Sequence, residues 1–144
     1  MYDTIIWDWN GTLLDDLDLS IKEVNVLLKE RDLPVLTKER YKEIFGFPVI
    51  DYYVKAGFDF SKEPFETPAR QYVKLYASGE SDLKLFPDVI DTLSFFKDNN
   101  YHQIVLSAMK DHGEIREGNR VRLFKSRQSL TVSICTPFLP SISM

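Results

Sequence analysis

The chain has a single cysteine among its 144 residues, Cys135, so no internal disulfide can staple it. No apolar run approaches the roughly 20 residues that a membrane-spanning helix needs, which excludes a helical membrane span. An excess of basic charge is missing too: the formal net charge is −4, and nothing calls for a nucleic-acid partner. A basic leader is absent, because Asp3 stands near the N-terminus and a strand-like run follows directly, so a secretory signal is not expected. Together these absences predict a cytoplasmic protein. Cys135 reads as a structural thiol.

What remains is the composition of one ordinary domain, with 44% hydrophobic and 28% charged residues and length enough to bury a core. The charge is uneven, at −6 over the first 110 residues and +2 from Asp111 to Met144. The character of the sequence changes near residue 111. Before it, Thr4-Ile5-Ile6-Trp7 has the pattern of a strand buried on both faces of a parallel sheet. Asp15 or Asp16 caps a helix running to about Arg31, with Leu17, Ile21, Val24, Leu27 and Leu28 on one face. Thr37 caps a second, short helix that stops at Gly46. Pro48 opens a third over residues 49–56, and Gly57 is its natural stop. A fourth helix begins at Ser61 or Thr67 and runs to about Gly79. Pro87 opens a fifth, with Ile90, Leu93 and Phe95 or Phe96 inward, ending at Asp98-Asn99-Asn100. His102-Gln103-Ile104-Val105-Leu106 is a second apolar strand that stops on Ser107. The order predicts an α/β protein with a helical insertion just after its first strand.

Ligands of parallel α/β sheets sit at the carboxyl ends of the strands, where Asp8 and Ser107 both fall. A carboxylate at a strand exit, followed by a tight Gly11-Thr12 turn, can act as nucleophile or metal ligand. Exposed backbone N–H groups of such a turn can hold phosphate oxygens. The Ser107 hydroxyl, at the neighbouring strand end, can donate a further hydrogen bond to the same anion.

Asp8-Trp9-Asn10-Gly11-Thr12-Leu13 resembles the D-x-D-G-T-L signature of the haloacid dehalogenase superfamily, and Ile104-Val105-Leu106-Ser107 resembles its second motif. Between them, Phe45-Gly46-Phe47-Pro48 and Leu85-Phe86-Pro87-Asp88-Val89 look like stretches of the phosphoglycolate phosphatase-like branch. The resemblance covers about residues 1 to 110. It implies a Rossmann-like core, here incomplete, carrying an inserted helical cap. By the resemblance, Asp8 is the nucleophile that forms an aspartyl-phosphate and also binds Mg²⁺, with the backbone carbonyl of Asn10 as a second ligand. Gly11, Thr12, Ser107 and Lys110 are the expected phosphate-binding residues. The cap, with its loop from Gly46 to Pro48, would choose a small phosphorylated metabolite. Phosphoryl transfer needs these parts: an anionic nucleophile, a metal to offset its charge, donors for the equatorial oxygens, and exclusion of water.

Two departures stand out. The family's second aspartate is its general acid and base, a role contributing typically 10²–10⁴-fold, and Asn10 cannot fill it. The third and fourth motifs, a lysine and an acidic pair, belong after residue 110 and have no recognisable context there. Lys110 and Lys125 are candidates for the lysine; Asp111, Glu114 and Glu117 lie in a stretch that reads as solvated loop. The tail reads as a truncated or frame-shifted end, or as a genuine short variant, with one strand-like run from Leu130 to Cys135.

The expected division is therefore a core of residues 1–14 plus 84–110, a cap of residues 15–83 and an atypical tail of 111–144. Two central strands alone would leave open edges, and a homodimer is one expected consequence. The alternative to a hydrolase is a non-catalytic protein of the same fold. Trp7 and Trp9 read as packing of the core and pocket wall. Tyr52, Tyr53, Tyr72 and Tyr76 read as packing within the cap, and Asp15, Asp16 and Asp18 as favourable charge at a helix N-terminus.

Overall fold

The computed structural model describes residues 3–106 in full and, beyond them, the backbone of two strands at 120–125 and 128–135. The protein divides into two units, Met1–Asp15 with Lys84–Met144 and, separately, Asp16–Leu83.

In the first unit, β1 (Thr4–Asp8), β4 (His102–Leu106), β5 (Arg120–Lys125) and β6 (Gln128–Cys135) form one sheet in the order β1-β4-β6-β5. β1 and β4 are parallel with Asp8 opposite Leu106, and β4 and β6 are parallel with Leu106 opposite Cys135. β5 runs antiparallel to β6. The sheet thus has four strands: β6 contains the expected strand-like run Leu130–Cys135, and β5, which pairs with it, is the strand the sequence did not suggest. A two-residue ladder, β2 (Leu14–Asp15) on β3 (Lys84–Leu85), closes the segment after the first turn. α5 (Val89–Asp98) lies between β3 and β4 in sequence and packs on β4.

The expectation that β1 is buried on both faces is not met. Its residues alternate, with Trp7 partly buried and Ile6 63% exposed. The physical reason is position: β1 is an edge strand among the described residues, and the α5 side is the one that is covered. Successive side chains of a strand point to opposite faces, so an apolar run cannot by itself reveal that one face is open. On the covered side, Leu13, Val89, Ile90, Leu93 and Val105 form the core, with Trp7, Trp9, Leu85 and Phe86 against it.

The second unit holds α1 (Leu17–Lys29), α2 (Lys38–Ile44), α3 (Val49–Ala56) and α4 (Glu66–Gly79). Its core includes the fully buried Val24, Leu27 and Leu28 of α1, together with Tyr41, Tyr52, Tyr53 and Phe58. Arg31 ties three segments, donating to the Leu27 carbonyl at 3.0 Å, Glu63 Oε2 at 2.9 Å and Gln71 Oε1 at 2.7 Å. Gly57 ends α3 at φ +108°, a conformation a side chain would disfavour.

Local chemistry sets most of these ends. Thr37 caps α2 as expected, its hydroxyl oxygen accepting the Arg40 N–H at 3.2 Å. Thr37→Ala should lower stability by about 0.5–2 kcal/mol, read from the urea midpoint by circular dichroism. An unchanged midpoint would contradict a capping role.

Asp16 differs from expectation. It occupies the N-cap position of α1 without a side-chain capping bond. It is buried, and its Oδ2 accepts the hydroxyl of the buried Tyr76 at 2.8 Å. Burial, and then this hydrogen bond, hold the Tyr76 hydroxyl well above its ordinary pKa, so it stays a donor. A carboxylate with a long-range donor satisfies itself there rather than on its own helix.

Candidate functional site

Asp8 is the last residue of β1 and is exposed, at the carboxyl edge shared by β1, β4 and β6. The backbone then turns tightly. The Trp9 carbonyl accepts the N–H groups of Thr12, Leu13 and Leu14 at 3.3, 3.0 and 2.9 Å, and Gly11 N–H donates to the Leu14 carbonyl at 3.0 Å. Gly11 has φ +71°, which glycine adopts without steric cost. The turn brings the Thr12 hydroxyl back to Asp8, donating to Oδ2 at 3.1 Å.

This turn revises one expectation. The N–H groups of Gly11 and Thr12 do not face outward as phosphate donors, because each is committed to a carbonyl of the turn itself. A turn that satisfies its own donors is stable without a ligand. Thr12 contributes its hydroxyl to the site, and Gly11 contributes the conformation.

Packing beneath the turn locates Asp8. Leu13 is buried in the core at 3% exposure, and Trp7 and Trp9 pack against the same cluster, as expected of core and wall residues. Trp7 Nε1 donates to Gln103 Oε1 at 2.9 Å, and Gln103 Nε2 donates to the Leu93 carbonyl at 2.9 Å. Gln103, opposite Ile5 and three register positions before Asp8, therefore joins β1, β4 and α5. Sequence reasoning passed over it. The available signal was a glutamine standing directly before the apolar run Ile104-Val105-Leu106.

Of the remaining candidates, Ser107 and Lys110 lie outside the described residues, as do Asp111, Glu114 and Glu117. Lys125 ends β5 opposite Gln128, seven residues before Cys135 on β6. At about 3.3 Å per residue it is roughly 23 Å along the strand direction from the edge of Asp8, beyond a lysine's reach. The antiparallel direction of β5 is the reason, and it removes Lys125 as the lysine of this site.

Among the described residues no three His, Cys, Asp or Glu side chains form a group that could hold a metal. Mg²⁺ is commonly bound by one or two carboxylates, with water and phosphate oxygens completing its shell. A carboxylate at Asp8 and a backbone carbonyl at Asn10 are oxygen donors of the right kind. Among the described residues no helix is long and apolar enough to cross a membrane.

Several solved structures share this fold. A predicted phosphoglycolate phosphatase from Haemophilus somnus 129PT is 22% identical, with a TM-score of 0.55 over 74% of this chain and 52% of that one. A protein from Bacteroides fragilis, assigned as a haloacid dehalogenase-like hydrolase, is 18% identical, with a TM-score of 0.66 over 75% and 52%. An Asp-to-Asn variant of CbbY from Rhodobacter sphaeroides, in complex with xylulose-(1,5)bisphosphate, is 17% identical, with a TM-score of 0.57 over 76% and 52%. These identities speak for the fold. The protein spans about half the length of these structures. No curated protein sequence matches it significantly. The family model for haloacid dehalogenase-like hydrolases matches residues 5–125, most of the sequence, from Ile5 in β1 to Lys125 at the end of β5. On that match, the protein belongs to the haloacid dehalogenase-like hydrolase family.

Proposed function

We propose that this protein carries the nucleophile half of a phosphatase-type site, acting on a small phosphorylated metabolite through Asp8 with Mg²⁺. The observation that carries the reading is the Thr12 hydroxyl donating to the exposed Asp8 carboxylate at 3.1 Å, at the carboxyl edge of the parallel strands. A carboxylate oriented by a neighbouring hydroxyl and open to solvent is a suitable nucleophile for phosphorus.

In this reading Asp8 attacks the phosphorus, the ester oxygen leaves, and water then cleaves the aspartyl-phosphate to release phosphate and regenerate Asp8. The Thr12 and Ser107 hydroxyls would hold phosphoryl oxygens, and Lys110 would offset their charge. Asp8 and the Asn10 carbonyl would hold Mg²⁺, which supplies neutralisation of charge on the phosphoryl group when bound. The helical unit, Asp16–Leu83, would serve as the cap that selects the substrate. A phosphorylated substrate is supported by relatives of this fold: CbbY has been solved with phosphate and with a sugar bisphosphate.

A second reading, a non-catalytic protein of the same fold, is favoured by Asn10, which offers no proton to a leaving oxygen. The two separate in one pair of measurements. Mg²⁺-dependent release of phosphate from p-nitrophenyl phosphate should be slow but measurable, and Asp8→Asn should abolish it. Release equal to that of Asp8→Asn would sink the hydrolase reading. If in addition beryllium fluoride with Mg²⁺ raises the melting temperature of neither protein, the non-catalytic reading stands.

A further inference from the structure

Asn10 departs from the family's signature, and it is followed by Gly11. It is the one asparagine of five in the sequence with glycine after it; the others are Asn25, Asn99, Asn100 and Asn119. We propose that Asn10 is a deamidation site, and that the reaction supplies the carboxylate missing from the D-x-D pattern two residues after Asp8.

The chemistry needs water and nothing else. The Gly11 backbone nitrogen, on losing its proton, attacks Asn10 Cγ; a new bond forms between the two, the bond from Cγ to the amide nitrogen Nδ2 breaks, and ammonia leaves with the proton. Water then opens the cyclic imide. Cleavage of the bond between Cγ and the Gly11 nitrogen leaves an aspartate at position 10. Cleavage on the backbone-carbonyl side leaves an isoaspartate.

Glycine favours the closure because its nitrogen has no neighbouring side chain to obstruct the approach. The structure adds three observations. Gly11 is exposed, and a Cβ built on it would meet no heavy atom within 4 Å, so water reaches the turn on that side. At φ +71° the residue already occupies a conformation that other residues rarely adopt. The Gly11 N–H is held by the Leu14 carbonyl at 3.0 Å, and this bond must open before the nitrogen can attack. It belongs to an isolated one-residue bridge between Asn10 and Leu14, beside the two-residue ladder of Leu14 and Asp15 with β3, so opening is local.

The chemical step stands on the turn alone. Its consequence rests on the reading of Asp8 as nucleophile, since a carboxylate at position 10 would then supply acid and base catalysis contributing typically 10²–10⁴-fold.

The test is to incubate the freshly purified full-length protein in mildly alkaline buffer. Peptide mass spectrometry then follows the amide-to-acid mass gain at Asn10 against that at Asn99 and Asn100. The expected result is conversion at Asn10 well ahead of the other two. Conversion no faster than theirs would overturn the proposal. Phosphate release is followed in parallel for the incubated protein, for incubated Asn10→Gln, and for Asn10→Asp. A rise in the incubated protein that Asn10→Gln does not share supports the proposal. A mass gain without any rise, while Asn10→Asp is active, overturns its functional half. Should Asn10→Asp itself be inactive, the reading of Asp8 fails, and the mass gain still decides whether the modification occurs.

Discussion

Asn10→Asp is expected to raise Mg²⁺-dependent phosphate release by about 10²–10⁴-fold over the unmodified protein. The expectation follows from what each side chain can do at that position. An amide can orient a water or a leaving oxygen by hydrogen bonding, but it cannot give up or take a proton at neutral pH. A carboxyl two residues beyond Asp8 can protonate the departing oxygen and later accept a proton from the attacking water. The substitution is nearly isosteric. The turn that would receive it is held by backbone bonds to the Trp9 and Leu14 carbonyls. Folding should therefore be retained, and the gain should appear in kcat with little change in KM. The measurement is a steady-state comparison at matched Mg²⁺ concentration, with Asp8→Asn as the blank. Equal rates for the two proteins would show that something other than the proton shuttle limits turnover. The basic group expected near Ser107 and Lys110 would then be the next target.

Leu93→Ala is expected to destabilise the sheet-bearing unit by about 2–5 kcal/mol, the range for deleting a buried leucine side chain to alanine. Leu93 is fully buried within the cluster of Leu13, Val89, Ile90 and Val105. Its carbonyl accepts Gln103, which in turn accepts Trp7. A cavity there undermines both the strand that ends on Asp8 and Leu13 of the turn that follows it. Both tryptophans of the protein, Trp7 and Trp9, lie in this unit, so fluorescence in urea reports its unfolding separately from the helical unit. Lys97→Ala, at an exposed site on the same helix as Leu93, is the control and should fall within about 0.5 kcal/mol of the unsubstituted protein. A loss at Leu93 no larger than this control would mean that the cluster closes over the missing methyl groups.

Elements with a chemical signal inside their own few residues were readable directly. Thr37 caps α2 where a hydroxyl before a periodic run predicts it, and Gly57 ends α3 in the left-handed conformation that glycine favours. β4 covers His102–Leu106, the expected apolar run. The fourth helix begins at Glu66, close to the Thr67 alternative and away from Ser61, whose side chain instead bonds Asp59 at 2.7 Å. The strand ending on Asp8 and the Gly-Thr turn after it, on which the proposed site rests, were legible in the same way because they are contiguous.

Elements that depend on distant residues were not readable. β2 and β3 are two residues each, too short for periodicity to register, and exist through pairing across nearly the whole inserted helical unit. β5 is Arg-rich and has no clean period of two, because Leu123 and Phe124 are adjacent. Its direction, which takes Lys125 away from the Asp8 edge, is set by a hairpin with β6. Asp16, with Asp15 one of two residues expected to cap the helix, instead serves Tyr76, sixty residues on. By itself, then, the sequence determined where the backbone turns, where its helices start and stop, and which carboxylate stands at a strand exit, since caps, glycines and apolar periods act over a few neighbouring residues. Only the tertiary structure decided which strand forms an edge, which N–H groups the turn retains for itself, and which buried carboxylate meets which hydroxyl. Those outcomes depend on pairing and burial between residues tens of positions apart, whose energies no local pattern records.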